Sequence, residues 1–195
     1  VRKLNLTRES YPAIREELHD RILAIPGVEA VSFGGPPMRG GGSSTIWMDG
    51  TDPRQGVKTL LIGIGPDYFR TFEISLLAGR EFEVSDRFDA PKVAIVNEAF
   101  ARRFLNGANP VGQRFWFEAF GDIPERRYEI VGLVRDIKFG DLREEFRPII
   151  YTTRAQDPNA SPGDNYLIRS RLSQTETIAA VKRLLNEINP AITVR

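Results

Sequence analysis

PKVAIVNEAFARRFLNGANPVGQR, residues 91–114, reads in succession as a strand, a cap, a helix, a stop and a turn. Residues 92–96 are an apolar, partly β-branched run of strand length, and Asn97 follows with a side chain able to accept a hydrogen bond from a first-turn backbone N–H. Glu98 then sits near the positive end of the helix. Phe100 and Phe104, with Ala101 and Leu105, recur at helical spacing and make one apolar stripe that leaves Arg102 and Arg103 outside it. Gly107 supplies a left-handed stop. Asn109-Pro110-Val111-Gly112 is a turn, because proline presets φ and glycine tolerates a positive φ.

Composition narrows the classes of function. At 195 residues the chain can bury a real core and can hold one large domain or two small ones. Lys plus Arg number 27 against 26 Asp plus Glu, so no overall field attracts phosphate backbones. The absence of cysteine excludes disulfides, thiolate zinc sites and a cysteine nucleophile, and the single histidine, His19, excludes multi-histidine metal sites. No run approaches the roughly 20 apolar residues of a membrane span, and Val1-Arg2-Lys3 opens no signal peptide. The expectation is a soluble protein or one whose membrane parts have been cut away.

Outward from the opening stretch, residues 10–25 are a helix candidate with Tyr11, Ile14, Leu18, Ile22 and Ile25 on one face, Pro12 in its first turn and Pro26-Gly27 at its end. His19, among Glu16, Glu17 and Asp20, is expected to be solvated rather than catalytic. Residues 28–33 alternate as a strand. Residues 34–44, rich in Gly, Pro and Ser, invite a phosphate-loop reading. No Gly-Lys-Ser/Thr follows, however, and residues 45–49 are β-like, so a surface loop is expected, with Met38 as a partner-facing candidate and Trp47 in the core or at its rim.

Residues 60–64 are an apolar run, and a short helical segment over 68–72 leads to a return at 76–82. The carboxylate pairs Glu81/Glu83 and Asp86/Asp89 lie in polar loops, where solvation is expected and no apolar pocket signals acid–base work. Residues 114–118 and 127–135 are expected to form a hairpin whose second strand, apolar on both faces, is central. Phe115, Trp116 and Phe117 beside Arg102, Arg103, Arg114, Arg126 and Arg127 superficially suggest a single-strand stacking platform. Adjacent aromatics on a strand point to opposite faces, and Glu118, Glu125 and Glu129 cancel the charge, so no nucleic-acid partner is expected. Residues 149–153 and 166–172 are strands around a loop at 157–164. Ser173-Gln174-Thr175-Glu176 has capping-box spacing, and Ile178, Val181, Leu185 and Ile188 make a stripe ended by Asn189-Pro190. A last short strand is expected at 191–194.

The ordered series Pro26-Gly27-Val28-Glu29, Pro66-Asp67-Tyr68-Phe69-Arg70-Thr71, Leu77-Ala78-Gly79-Arg80-Glu81-Phe82, Val93-Ala94-Ile95-Val96-Asn97-Glu98, Ala101-Arg102-Arg103-Phe104, Asn109-Pro110-Val111-Gly112 and Glu129-Ile130-Val131-Gly132-Leu133-Val134-Arg135-Asp136 resembles the MacB-like periplasmic core domain of ABC-transporter permeases. That family includes macrolide exporters and lipoprotein-release systems with FtsX-like permeases. The likeness runs over nearly the whole chain. It implies an α+β, two-lobed fold: a discontinuous α/β porter-like lobe, residues 1–59 and 149–195, with an inserted mixed α+β sabre-like lobe, residues 60–148.

The function implied is a non-catalytic extracytoplasmic, periplasmic domain inserted between the first and second membrane helices of a permease. It would transmit ATP-driven motion of membrane helices to substrate or partner proteins outside. The implied partners are a second permease copy or paralogue, a periplasmic adaptor or substrate protein, and a cytoplasmic ATPase reached through membrane helices. No catalytic residue, cofactor or metal is implied, and Val1 and Arg195 are expected on one side of the discontinuous lobe. A soluble ligand- or peptide-binding module is the alternative, and a hydrolase with paired acids a third class.

Overall fold

The computed structural model describes residues 11–35, 41–138, 143–157 and 165–188. In chain order they form α1 (Tyr11–Leu23), β1 (Val28–Phe33), β2 (Gly42–Met48), β3 (Val57–Ile64), α2 (Tyr68–Thr71), β4 (Leu76–Gly79), β5 (Val93–Asn97) and α3 (Glu98–Leu105). There follow β6 (Arg114–Phe117), β7 (Arg126–Val134), β8 (Ile149–Thr153), β9 (Tyr166–Ser170) and α4 (Gln174–Ile188).

Seven strands make one sheet in the order β4-β7-β5-β8-β3-β2-β6, and β6 also pairs with β7. Six of them therefore close into a ring, β7-β5-β8-β3-β2-β6 and back to β7. Closure pairs the backbone edges of these six strands with one another. The expected central strand, β7, carries β6 and then β4 along one edge and β5 along the other.

Alternation sorts the side chains. Ile46, Leu61, Ala94, Val96, Phe115, Phe117, Tyr128, Ile130 and Ile150, drawn from all six ring strands, meet inside the barrel, and α3 lays Phe100 and Phe104 against them. The intervening Ile62, Ile64, Ile95, Ile149 and Tyr151 point outward, joined by Val134 because a register shift after Ile130 switches the faces of β7, and they are covered by Tyr68 and Phe69 of α2.

α3 starts as its sequence dictates: the Asn97 side chain accepts from the Phe100 amide, while Asn106 at φ 52° and Gly107 at φ 82° together end it, one residue earlier than expected. Phe100 is fully buried but Phe104 only partly, so the stripe is centred on Ala99, Phe100 and Ala101.

The second sheet has two strands, β1 and β9, paired antiparallel from Val28↔Ser170 to Phe33↔Tyr166. Ile22 of α1, Val31 of β1 and Val181 and Leu185 of α4 form its core. α4 begins with the expected capping box, Ser173 and Glu176 each bonding the other's backbone N–H. Ile178, expected on the apolar stripe, is 39% exposed.

Three expectations need correction here. The lobe boundaries at 59/60 and 148/149 cut through the barrel: β2 and β8 fall on the discontinuous-lobe side and β3 is split at 59/60, yet all three are barrel strands, because β3 pairs with β2 and β8, and β8 with β5. The unit built from both ends of the described chain is smaller, α1, β1, β9 and α4. His19, expected in solvent, is 8% exposed, with Nδ1 3.0 Å from Asp20 Oδ1 and Nε2 3.0 Å from the Val31 carbonyl oxygen, because α1 lies directly on β1. Within the expected loop at 34–44, Gly42, Ser43 and Ser44 already belong to β2. Residues 36–40, including Met38, lie outside the described residues, as do most of the 157–164 loop, Val1, Arg195 and the strand expected at 191–194.

The two sheets touch at a tight joint. Gly34 bridges to Ile64 and Gly65 donates its amide hydrogen to the Phe33 carbonyl at 2.8 Å. A Cβ on Gly34 would lie 2.5 Å from the Gly63 oxygen, and one on Gly65 2.7 Å from the Phe33 ring, so the joint admits only glycine at either place without rearrangement.

Candidate functional site

An open cleft of about 710 Å³ lies where the small sheet faces α2 and the approach to β4. Its charged lining comes from four separate stretches. A register shift between Val28 and Ala30 makes Glu29 a bulged residue of β1, and a bulge re-aims its side chain. Arg169 of β9 and Arg171, one residue past its end, lie two positions apart at strand spacing. Glu73 follows α2 in the left-handed region, φ 54°, which turns the chain sharply toward β4. Such a φ costs a non-glycine residue about 1–2 kcal/mol, so the surrounding packing must hold it.

These side chains form one network. Arg169 Nε donates to Glu29 Oε2 at 3.2 Å and Arg169 Nη2 to Glu73 Oε1 at 2.5 Å, while Arg171 Nε donates to the other Glu29 oxygen. Hydrogen bonds from Arg171 and then Arg169 hold the Glu29 carboxyl below the usual range. Glu81, also on the cleft wall, is shifted the other way, raised by burial and then by the charge of Asp67. Within this network the Arg169–Glu73 bond is the one that crosses from the small sheet to the barrel side; both partners of Glu29 lie on or just past β9.

The residues weighed from sequence for acid–base work do not converge. Asp86 is buried rather than solvated, gripped by both terminal nitrogens of Arg80 at 2.7 and 3.0 Å and by the Glu83 amide at 2.8 Å. Burial opposes its charge, but the Arg80 guanidinium and the Glu83 amide outweigh it and keep its carboxyl below the usual range. Glu83 Oε1 lies 3.7 Å from Arg80 Nε and Asp89 2.9 Å from Arg87. These are structural ion pairs around a turn, with no substrate-sized apolar wall beside them.

The aromatic trio is split as alternation requires: Phe115 and Phe117 fill the barrel, whereas Trp116 faces out, its ring N–H bonded to Asp49, with Arg127 over its ring. Trp47 is buried, 7% exposed. Among the described residues no group of three or more His, Asp or Glu side chains is placed to hold a metal ion, and no helix is long and apolar enough to cross a membrane.

The cleft network escaped the sequence reading. The Arg169/Arg171 alternation was visible, but nothing local marks Glu29, 140 residues from Arg169, or Glu73, 96 residues away, as partners.

Curated proteins show no match to the chain. Among solved structures, the periplasmic region of MacB from Actinobacillus actinomycetemcomitans superposes with a TM-score of 0.61 at 16% identity, over 89% of this chain and 73% of that one. The extracellular domain of the noncanonic ABC-type transporter YknZ from Gram-positive bacteria gives 0.60 at 17% identity, over 90% and 83%. A permease-protein domain from Porphyromonas gingivalis gives 0.57 at 20% identity, over 92% and 74%. These likenesses are of fold. The sequence pattern of the MacB-like periplasmic core domain matches residues 3–188, nearly the full length described above, and the chain belongs to that family.

Proposed function

We propose that this domain is the non-catalytic, extracytoplasmic part of an ABC-transporter permease, and that it passes ATP-driven movement of membrane helices to a substrate or partner protein outside the membrane. Family membership supports the setting. The observation that carries the mechanical reading is the junction between the two sheets. A glycine joint meets on one side, an open cleft on the other, and an exposed ion pair, Arg169–Glu73, spans the cleft. Glu73 is 71% exposed, and solvent screens such a pair, so it biases the angle between the sheets without locking it. In this reading the small unit of α1, β1, β9 and α4 is the discontinuous lobe and the barrel is the inserted one. A second permease copy or paralogue, a periplasmic adaptor or substrate protein, and a cytoplasmic ATPase are the partners.

The test uses the intact permease. These 195 residues hold no cysteine, so in a permease with any cysteines elsewhere replaced, cysteines introduced at Lys182 on α4 and Arg103 on α3 can be spin-labelled selectively. The distance between them should change between nucleotide-free and ATP-trapped states, and the isolated domain should hydrolyse no ATP. One invariant distance distribution through the whole cycle sinks the transmission role.

A further inference from the structure

The barrel has a mouth at the end where the β6–β7 hairpin turns back. A cavity of about 240 Å³ opens there, floored by Leu61, Phe117 and Tyr128 and rimmed by Phe120 and Ile123. The rim is unusual for a surface turn, since Phe120 is 81% exposed although its backbone is pinned by paired hydrogen bonds with Ile123. Arg126, the first residue of β7, lines the same cavity. Its Nε is sealed from solvent and has no hydrogen-bond partner, and the side chain makes no ion pair with any described residue. No described residue balances the guanidinium charge, and a carboxylate entering the cavity would do so through a charge-assisted hydrogen bond from the terminal nitrogens.

Neighbouring charge agrees. Burial and then Arg126 lower the pKa of Lys92, whose ammonium already donates to the Phe88 carbonyl oxygen. Asp157, also on the wall, is engaged by Arg154 at 3.3 Å, and Glu118 is solvent-exposed.

We propose that the barrel mouth binds a small apolar carboxylic acid, its carboxylate on the Arg126 guanidinium and its hydrocarbon body against Leu61, Phe117 and Tyr128. The size fits: 240 Å³ is the liquid volume of about eight waters, room for a single ring and a short chain. Barrel mouths with an apolar floor and one placed polar group are a common form of ligand site. The site is separate from the inter-sheet cleft, and the inference does not depend on the transport reading.

The test is a titration of the domain with 3-phenylpropionate, followed by NMR shifts of the Phe117 and Tyr128 ring signals, alongside 3-phenylpropionamide and acetate. The acid should shift those rings and bind at least about tenfold more tightly than the amide, which lacks the charge, or acetate, which lacks the ring. Arg126→Gln should lose at least about tenfold for the acid and leave the amide unchanged. Equal binding of acid and amide, no advantage over acetate, or an unaltered Arg126→Gln titration each overturns the proposal. Should Arg126→Gln fail to fold, the comparison of acid, amide and acetate on the unaltered domain decides alone.

Discussion

Asn97 is wholly buried and uses both ends of its amide. Its Oδ1 accepts from the amides of Phe100 at 3.1 Å and Ile149 at 2.8 Å, and its Nδ2 donates to Asp136 Oδ1 at 2.7 Å and the Arg147 carbonyl at 2.9 Å. One side chain thus caps α3 and ties it to the start of β8. An ordinary cap is worth about 1 kcal/mol, but here truncation also strands the Ile149 N–H, so Asn97→Ala should cost about 3 kcal/mol in urea denaturation. A loss no greater than that of a simple cap would show that water replaces these bonds. Asp86 makes a pH-dependent contribution. Its folded-state pKa is below the ordinary value of 3.8, so the stabilisation is complete above that value and disappears as pH falls through it and then through the lower folded value. Asp86→Asn should therefore cost about 1–2 kcal/mol near neutrality, discounted for the partly exposed Arg80, and the gap from the parent should close on acidification. Parallel stability curves down to about pH 2 would refute the assignment.

At the scale of elements, α3 separates what periodicity tells from what packing adds. Phe100→Ala, fully inside the barrel core, should cost about 3–5 kcal/mol, Phe104→Ala roughly half that, and Arg103→Ala no more than about 0.5. Equal denaturation midpoints for the two phenylalanine variants would mean that α3 is rotated from its described position. Strands β1 and β8 were legible to the residue, because each is a short β-branched or alternating run between turn residues. Helix α4 was legible through its capping box and its Val181/Leu185 stripe. Closure of the ring was not, since pairing β6 with both β2 and β7 depends on partners far away in sequence, and a strand apolar on both faces looks the same in an open central position as in a barrel. His19 misled for a related reason. It adjoins the Leu18/Ile22 stripe, and only the placement of α1 over the Val31 carbonyl brings it inside. The same dependence on distant partners hid the cleft network and the unpaired Arg126.

For the molecule as a whole, the Arg169–Glu73 pair is the adjustable contact between sheets. Glu73→Gln should broaden the distance distribution between spin labels at Lys182 and Arg103 while leaving the thermal midpoint within about 2 °C of the parent, because an exposed, solvent-screened pair contributes little to stability. A distribution as narrow as the parent's would mean that the glycine joint and the packing of α2 on the small sheet set the angle without it. The antiparallel pairing of β1 with β9 has a mechanical meaning. Phe33 and Tyr166 stand opposite each other at the end where both strands lead to the barrel, and Val28 and Ser170 stand opposite each other where they lead to α1 and α4. A pull applied through both helices would therefore travel down two covalent chains side by side, each strand a tie-rod under tension, with no shear on the hydrogen bonds that join them. Rungs between two evenly tensioned ropes carry no load along the ropes but resist their twisting apart. Such a coupling passes a pull or a turn to the barrel without spending the sheet's own cohesion.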